Sequence, residues 1–117
     1  MGHLKKLKQK MLSYGINPPD HFEYERFTRY AGNPEEPKKK DSWYILHPIG
    51  TKGHLVATFG DWRLLPDGHK WDSFEELPKE RKEDYKKIID KQKRLFKEEK
   101  EKRQIEASKK AFELAPI

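Results

Sequence analysis

The residues with the clearest chemical potential are aromatic and basic side chains interleaved along the first two thirds of the chain. They are Tyr24, Arg26, Arg29, Trp43, Trp62, Arg63 and Trp71. Single-stranded nucleic acid is held by stacking of its bases on aromatic rings and by cations along its phosphates, so this composition is typical of a single-strand binding face. In a small domain the same rings also supply the core, because aromatic side chains bury the largest apolar area. We expect Trp43 in the core, and Trp62 and Trp71, which adjoin predicted loops, to be the better candidates for ligand contact.

The candidate nucleic-acid contacts form a sheet group and a helix group. The sheet group is Arg26, Arg29, Trp62, Arg63, Lys70 and Trp71, and the helix group is Lys86, Lys87 and Arg94. For the arginines, ion pairs with Asp61 or with nearby glutamates are an equal alternative to phosphate contact. For the helix group, the alternative to phosphate contact is an ordinary solvated surface, because Lys and Glu are mixed along the helix. If the helix cations do contact phosphates, counterion release makes the binding weaken steeply with salt.

Catalytic and metal chemistry have little support in the residue pattern. The chain has no cysteine, which excludes disulfides and cysteine-based zinc sites. It has no phosphate-cradling glycine-rich loop, nucleophile signature or cluster of acids. Asp61 is better explained as an acceptor of backbone donors in a turn, because one carboxylate gives no acid–base pair. His47 and His54 flank a predicted hairpin, but a metal needs three or four ligands. We therefore expect no enzyme, metal or cofactor.

Length and charge set the broad class. With 117 residues, of which 33% are hydrophobic and 39% charged, the chain has room for one modest core. A net charge of +6 suits an anionic partner. Residues 1–78 carry 12 basic and 11 acidic side chains, whereas residues 79–117 carry 14 and 9, so the surplus sits in the C-terminal third. No apolar run approaches about 18 residues, so we expect no membrane partner. The lack of cysteine suits the cytoplasm.

Hydrophobic periodicity predicts the elements of the first third. Apolar residues at helical spacing predict a short amphipathic helix over His3–Tyr14, which Gly15 ends. The alternation of aromatic and charged residues over His21–Tyr30 predicts a strand. The segment Ala31–Asp41 combines turn formers with a lysine run and predicts an exposed loop.

The centre and the C-terminal third have a different pattern. Ser42–Ile49 and His54–Phe59 predict an antiparallel hairpin. Leu64–Trp71 contains a Pro-Asp-Gly turn and predicts a loop. Ser73 and Glu76 have capping-box spacing, and from Lys79 to about Leu114 neither Gly nor Pro interrupts a long helix.

Together these elements predict an α+β fold. We expect a small antiparallel sheet of about three strands with an N-terminal helix and a long charged C-terminal helix. Residues 1–77 would form the small domain, and residues 78–117 a helix that docks in part on the sheet and continues as a linker.

Several short motifs occur in a fixed order. They are KMLSYGINPP from Lys10 to Pro19, Arg26-Phe27, SWYIL from Ser42, ATFGDWR from Ala57 to Arg63, and Trp71 followed by the charged helix. This ordered set, over roughly residues 8–115, resembles the N-terminal domain that precedes the catalytic region in many phage and plasmid primase-helicases. No single motif in it is diagnostic by itself.

The resemblance implies a replication context and a non-catalytic accessory role. In that family the primase and helicase regions lie outside this domain, so no catalytic residue carries over, and a similar helix leads towards a primase core that is absent here. We expect the domain to bind single-stranded DNA template or primer-template, or to dock on the primase-helicase core. The alternative is a protein-interaction module that holds a replisome protein without contacting DNA.

Overall fold

The computed structural model describes residues 2–32 and 35–114, with side chains described up to residue 105. The elements are α1 (His3–Ser13), β1 (Phe27–Tyr30), β2 (Ser42–Ile49), β3 (His54–Asp61), β4 (Leu65–Asp72), a 3-10 turn (Lys79–Arg81) and α2 (Lys82–Leu114). The strands form one antiparallel sheet in the order β1-β2-β3-β4. The predicted α+β class is confirmed, with four strands rather than about three.

The sheet has a helix on each face. Successive residues of its central strands point to opposite faces, so the core has an α1 side and an α2 side. On one face, Leu7 and Met11 of α1 pack against alternate residues of β2 and β3; this cluster also contains Ile16, Phe22, Tyr44, Leu46, Leu55, Ala57 and Phe59. The intervening residues, among them Trp43 and Val56, face α2. Because both faces are covered, nearly every residue of β2 and β3 is buried.

The central hairpin is confirmed. β2 and β3 pair in continuous register from Ser42 opposite Asp61 to Ile49 opposite His54. Gly50 and Gly53 in the connecting turn have φ values of 71° and 75°, which L side chains adopt only with strain. The second strand continues past the predicted Phe59 to Asp61.

The prediction of a loop over Leu64–Trp71 is wrong, because this segment forms β4. Pro66 and Gly68 are tolerated because β4 is an edge strand. The pairing of β3 with β4 shifts register between Phe59 and Asp61, and Gly68 has a φ of 75°. The turn formers thus mark an irregularity within a strand rather than its absence.

The prediction of a strand over His21–Tyr30 is wrong for its first half. Only Phe27–Tyr30 is a strand. Glu25 has a φ of 63°, which interrupts the extended backbone, and its N–H donates to the carbonyl of Leu46 at 2.7 Å. Phe22 is nevertheless 6% exposed, because the irregular segment folds over the α1 face of the sheet.

The predicted capping box at Ser73 is also wrong. The Ser73 hydroxyl accepts from the N–H of Leu55 at 2.9 Å and lies 2.9 Å from Nδ1 of His54, so it bonds to the beginning of β3 instead of starting a helix. The helix α2 begins at Lys82, after the 3-10 turn that follows Pro78.

A buried polar side chain docks α2 on the sheet. Gln92 is 1% exposed and accepts from the Thr58 hydroxyl at 2.8 Å. Its Nε2 lies 2.8 Å from Nδ1 of His47 and donates to the carbonyl of Val56 at 3.1 Å. Four residues later, Phe96 packs on Trp43 with ring centroids 4.9 Å apart. In the part of the chain that is described, neither helix is long and apolar enough to cross a membrane.

Candidate nucleic-acid interface

The turn from β3 to β4 is held by the carboxylate of Asp61. This buried side chain accepts from the N–H groups of Arg63 at 2.8 Å and Leu64 at 3.1 Å, and from the Ser42 hydroxyl at 2.9 Å. Hydrogen bonds to a charged group contribute about 1.5–3 kcal/mol each. The prediction that Asp61 accepts backbone donors is confirmed, and its consequence is a fixed position for Trp62 and Arg63.

Trp43 is the centre of the α2 face, as predicted for a core residue. Its side chain is fully buried. A Cβ atom on Gly60 would lie 2.5 Å from Cζ2 of Trp43, and one on Gly68 would lie 2.5 Å from its Cη2. Such distances are closer than packed atoms allow. The two glycines therefore let β3 and β4 close around the indole.

Trp62 extends this aromatic packing towards solvent. Its ring centroid lies 5.6 Å from that of Trp43, 5.9 Å from that of Phe96 and 6.3 Å from that of Phe27, and the indole is only partly buried. The guanidinium carbon of Arg103 lies over the ring, 5.0 Å from its centroid. A cation over an exposed ring contributes about 0.5–1 kcal/mol, whereas a nucleobase stacked on an aromatic ring contributes about 1–3 kcal/mol. A base therefore competes well for this ring.

A cleft opens beside Trp62, where the β3–β4 turn meets α2. Its volume is 250 Å³, and we call it the Trp62 cleft. It is lined by Trp62, Pro66, Asp67, Lys100, Arg103 and Gln104. The ammonium of Lys100 lies 3.9 Å from the Asp67 carboxylate; the Lys100 side chain is half exposed and that of Asp67 is almost fully exposed, so this pair contributes little. With two cations and one carboxylate, the cleft favours an anionic ligand.

Two lysines lie close together farther along the same side of α2. Partial burial lowers the pKa of Lys70, and the neighbouring ammonium of Lys93 lowers it further, while Asp90 acts in the opposite direction. Adjacent like charges disfavour each other's ionised form, and an anion placed between them relieves that cost. Lys70, on β4, is therefore the predicted sheet cation whose surroundings best suit a phosphate.

The two candidate tryptophans do not form a common surface. Trp71 is paired across the sheet with Ala57 and packs against the α1-side core. Trp62 packs against Trp43 on the α2 side. Because the two rings lie on opposite faces of the sheet, a DNA strand stacked on one tryptophan is separated from the other by the sheet.

The candidate arginines are exposed but dispersed. Arg26 lies just before β1, the edge strand on the side of the sheet opposite β4, and Arg29 lies on β1. Nε of Arg29 donates to the carbonyl of Lys40 at 3.3 Å. Arg63 lines a separate cleft of 260 Å³ with Lys39 and Asp41. Although adjacent in sequence, Trp62 and Arg63 thus serve different cavities.

The helix candidates Lys86, Lys87 and Arg94 are all exposed on α2. Lys86 lies seven residues before Lys93, and residues seven apart share a face of a helix. Lys87 and Arg94 are also seven apart and share a different face. Only Lys86 therefore continues the row that Lys93 and Lys100 form beside β4.

The sequence-based candidates omitted both cations of the Trp62 cleft, Lys100 and Arg103. A signal for them exists in retrospect: they follow Phe96 at spacings of four and seven, so they lie on the same side of α2 as this core ring. Their proximity to Trp62 could not be inferred, because it depends on where α2 crosses the sheet.

The histidines serve the fold in different places. Nδ1 of His47 bonds to Gln92, and Nδ1 of His54 bonds to Ser73, so they do not converge on one ligand. Among the described residues, no group of three or more histidine, aspartate or glutamate side chains is arranged to hold a metal ion.

Comparison with known proteins returned no match to a family model, to a curated protein or to a solved structure. Any assignment of function therefore rests on the sequence pattern and on the geometry above.

Proposed function

We propose that this chain is a non-catalytic module that binds single-stranded DNA and acts in DNA replication. The observation that carries the proposal is the alignment of a partly exposed indole with a row of cations along one side of the molecule. This row, the β4–α2 track, consists of Trp62, Lys70, Lys93, Lys100 and Arg103.

The geometry of the track supports a backbone-following mode of binding. Lys70 and Lys93 lie together at one end, and Lys100 and Arg103 flank Trp62 at the other. Lys93 and Lys100 are two helical turns apart, about 10.5 Å along α2. Cations spaced along a groove with an aromatic ring beside them are the usual elements of sequence-tolerant single-strand binding.

The replication context comes from the resemblance to the N-terminal domains of phage and plasmid primase-helicases. In this proposal the module holds single-stranded template or primer-template in the cytoplasm, and α2 leads towards a primase-helicase core or another replisome protein. Arg26, Arg29, Arg63, Lys87 and Arg94, which lie off the track, would contribute only general electrostatic attraction.

Fluorescence anisotropy with a labelled single strand of about 15 nucleotides, in a salt series from about 50 to 200 mM, tests the proposal. Each phosphate contact contributes about −0.7 to the slope of log affinity against log salt. Replacing Lys93 and Lys100 together by Gln should weaken binding and reduce the slope by about 1.4.

The control is Arg81→Gln, which removes one positive charge in the 3-10 turn before α2, where Arg81 pairs with Asp84 at 3.3 Å. It should leave the slope nearly unchanged. Absence of binding by the folded wild-type protein at low salt would refute the proposal. An unchanged salt slope in the double variant would show that Lys93 and Lys100 of the β4–α2 track do not contact phosphates.

A protein-docking role without DNA contact is the second candidate. The observation that favours it is the exposure of two large apolar side chains, Leu64 at 63% and Ile105 at 58%. Replacing both by Ser should leave DNA binding intact under our proposal. Under the alternative, it should abolish binding of the replisome protein that the module holds.

A further inference from the structure

We infer that the Trp62 cleft is a subsite for a single nucleobase and that Arg103 covers it in the free protein. This inference rests on the proposed function and specifies how the DNA would be held. It assigns Arg103 two positions: over the indole when the cleft is empty, and on a neighbouring phosphate when a base is stacked there.

The size of the cleft favours one planar group. Its volume of 250 Å³ lies just below the range of about 300–1,000 Å³ that is typical of pockets for whole small molecules. One wall is the indole of Trp62, and Pro66 contributes a second apolar surface. A flat heterocycle fits such a space, while its sugar and phosphate remain outside.

The Arg103 side chain is suited to moving aside. It is exposed, and its guanidinium lies over the indole at the position that a stacked base would take. A guanidinium is planar, as a base is, so one group can replace the other on the ring. Once displaced, its fork of N–H donors matches the geometry of a phosphate.

The neighbouring charges favour the same exchange. The contacts of Lys100 are long: its ammonium lies 3.9 Å from the Asp67 carboxylate and 6.0 Å from the ring centroid of Phe96, and its side chain is half exposed. A phosphate that arrives with the base can recruit Lys100 from these contacts. The carboxylate of Asp67, which also lines the cleft, can then accept from an N–H group at the edge of the base, such as N3–H of thymine.

Removing the bases from the DNA tests the subsite in the unmodified protein. Anisotropy would compare a thymidine strand of about 15 nucleotides with an abasic strand of equal length, which keeps every phosphate. The expected result is about five- to 150-fold weaker binding of the abasic strand. Equal affinity for the two strands would overturn the inference even if the phosphate-driven binding of the proposed function holds.

Substitution of the indole locates the base. In Trp62→Leu the ratio between the two affinities should fall close to one, whereas Trp62→Phe should keep part of it. Tyr24→Leu is the matched control, because Tyr24 is also an exposed aromatic residue, 45% exposed, but lines a cleft at the opposite end of the sheet. An undiminished ratio in a folded Trp62→Leu protein would place the base elsewhere and refute the subsite.

The salt slope tests the second position of Arg103. Arg103→Gln should reduce the slope by about 0.7 on the thymidine strand, with Arg81→Gln again as the control. An equal slope would show that Arg103 does not reach a phosphate. Lack of binding to both strands at low salt would instead refute the proposed function itself, so the two failures are distinguishable.

Discussion

The close contacts of Trp43 with Gly60 and Gly68 show how single residues determine the shape of the sheet. A buried indole needs space that a Cβ atom on either glycine would occupy. Gly68 has a second constraint, its φ of 75°. The steric contact with Trp43 and the positive φ are separate constraints. Gly53 has the same φ without the contact, so it isolates the effect of φ.

Gly68→Ala should destabilise the protein more than Gly53→Ala does. Both glycines have a φ of 75°, so both changes carry the left-handed penalty of about 1–2 kcal/mol. A Cβ on Gly53 meets nothing within 4 Å, whereas one on Gly68 collides with Trp43 and adds about 1–3 kcal/mol of overpacking. Urea unfolding at neutral pH measures the free energy of unfolding of each variant. Equal losses would show that the indole shifts without cost.

At the residue scale the sequence predicted what depends on local chemistry. The burial of Trp43 and the turn role of Asp61 follow from residue type and near neighbours, and both are confirmed. The cation of Arg103 over Trp62 joins residues 41 positions apart. No local rule connects such residues, because their contact exists only once α2 lies across the sheet.

At the level of elements, the position of α2 depends on the network around Gln92. Nδ1 of His47 accepts from Gln92, so the neutral ring carries its proton on Nε2, and this atom finds no hydrogen-bond partner among the described residues. A second proton would have to enter at Nδ1, where Gln92 already presents a donor. Protonation of His47 therefore opposes the docking of α2.

Stability should fall as the pH drops below about 6.5, the ordinary pKa of histidine. Burial lowers the pKa of His47, Lys91 lowers it further, and Glu25 acts in the opposite direction. The unfolded chain then binds more protons than the folded one, so the stabilisation is complete above the unfolded pKa and is lost towards the folded pKa. Burial also lowers the pKa of His69, which adds an effect of the same sign.

Thermal unfolding between about pH 7.5 and about pH 5.5 measures this dependence. His47→Asn should make the curve flatter than that of the wild-type protein, whatever its own stability at neutral pH. His21→Asn is the control, because His21 is exposed on the surface. A curve of unchanged steepness in His47→Asn would assign the dependence to other groups.

The elements that the sequence did not predict share one cause. In each case a tertiary contact overrides the local pattern. Pairing with β3 makes β4 a strand in spite of its turn formers, whereas before β1 the positive φ of Glu25, whose N–H donates to the carbonyl of Leu46, interrupts a strand that the alternation predicts. Ser73 has the spacing of a helix cap, but its hydroxyl accepts from the N–H of Leu55 at the beginning of β3. By contrast, α1 and the hairpin combine strong periodicity with clear stop signals, and they were predicted correctly.

The whole molecule is longer than a compact chain of its size. Its radius of gyration is 16.1 Å and its principal extents are 60, 31 and 19 Å. A compact domain of this length would have a radius of gyration of about 13 Å. The difference arises because α2 continues from Arg103, which lies over Trp62, to Leu114, a further distance of about 16 Å.

Small-angle X-ray scattering should give a radius of gyration nearer 16 Å than 13 Å. Glu101→Pro should reduce it, because a proline removes a helical hydrogen bond and costs about 3 kcal/mol within the helix. Glu101→Ala is the control and should leave it unchanged. Identical scattering from the two variants would mean that the helix tolerates the break or is not straight in solution.

The position of β4 at the margin of the sheet bears on the tendency of this fold to self-associate. An eight-residue outer strand offers a template on which a second chain can add and begin aggregation. Here Pro66 lacks a backbone donor, Gly68 bends the strand and Lys70 places a charge on it, so each works against such addition. The residues that concealed this strand from sequence-based prediction also protect its open edge.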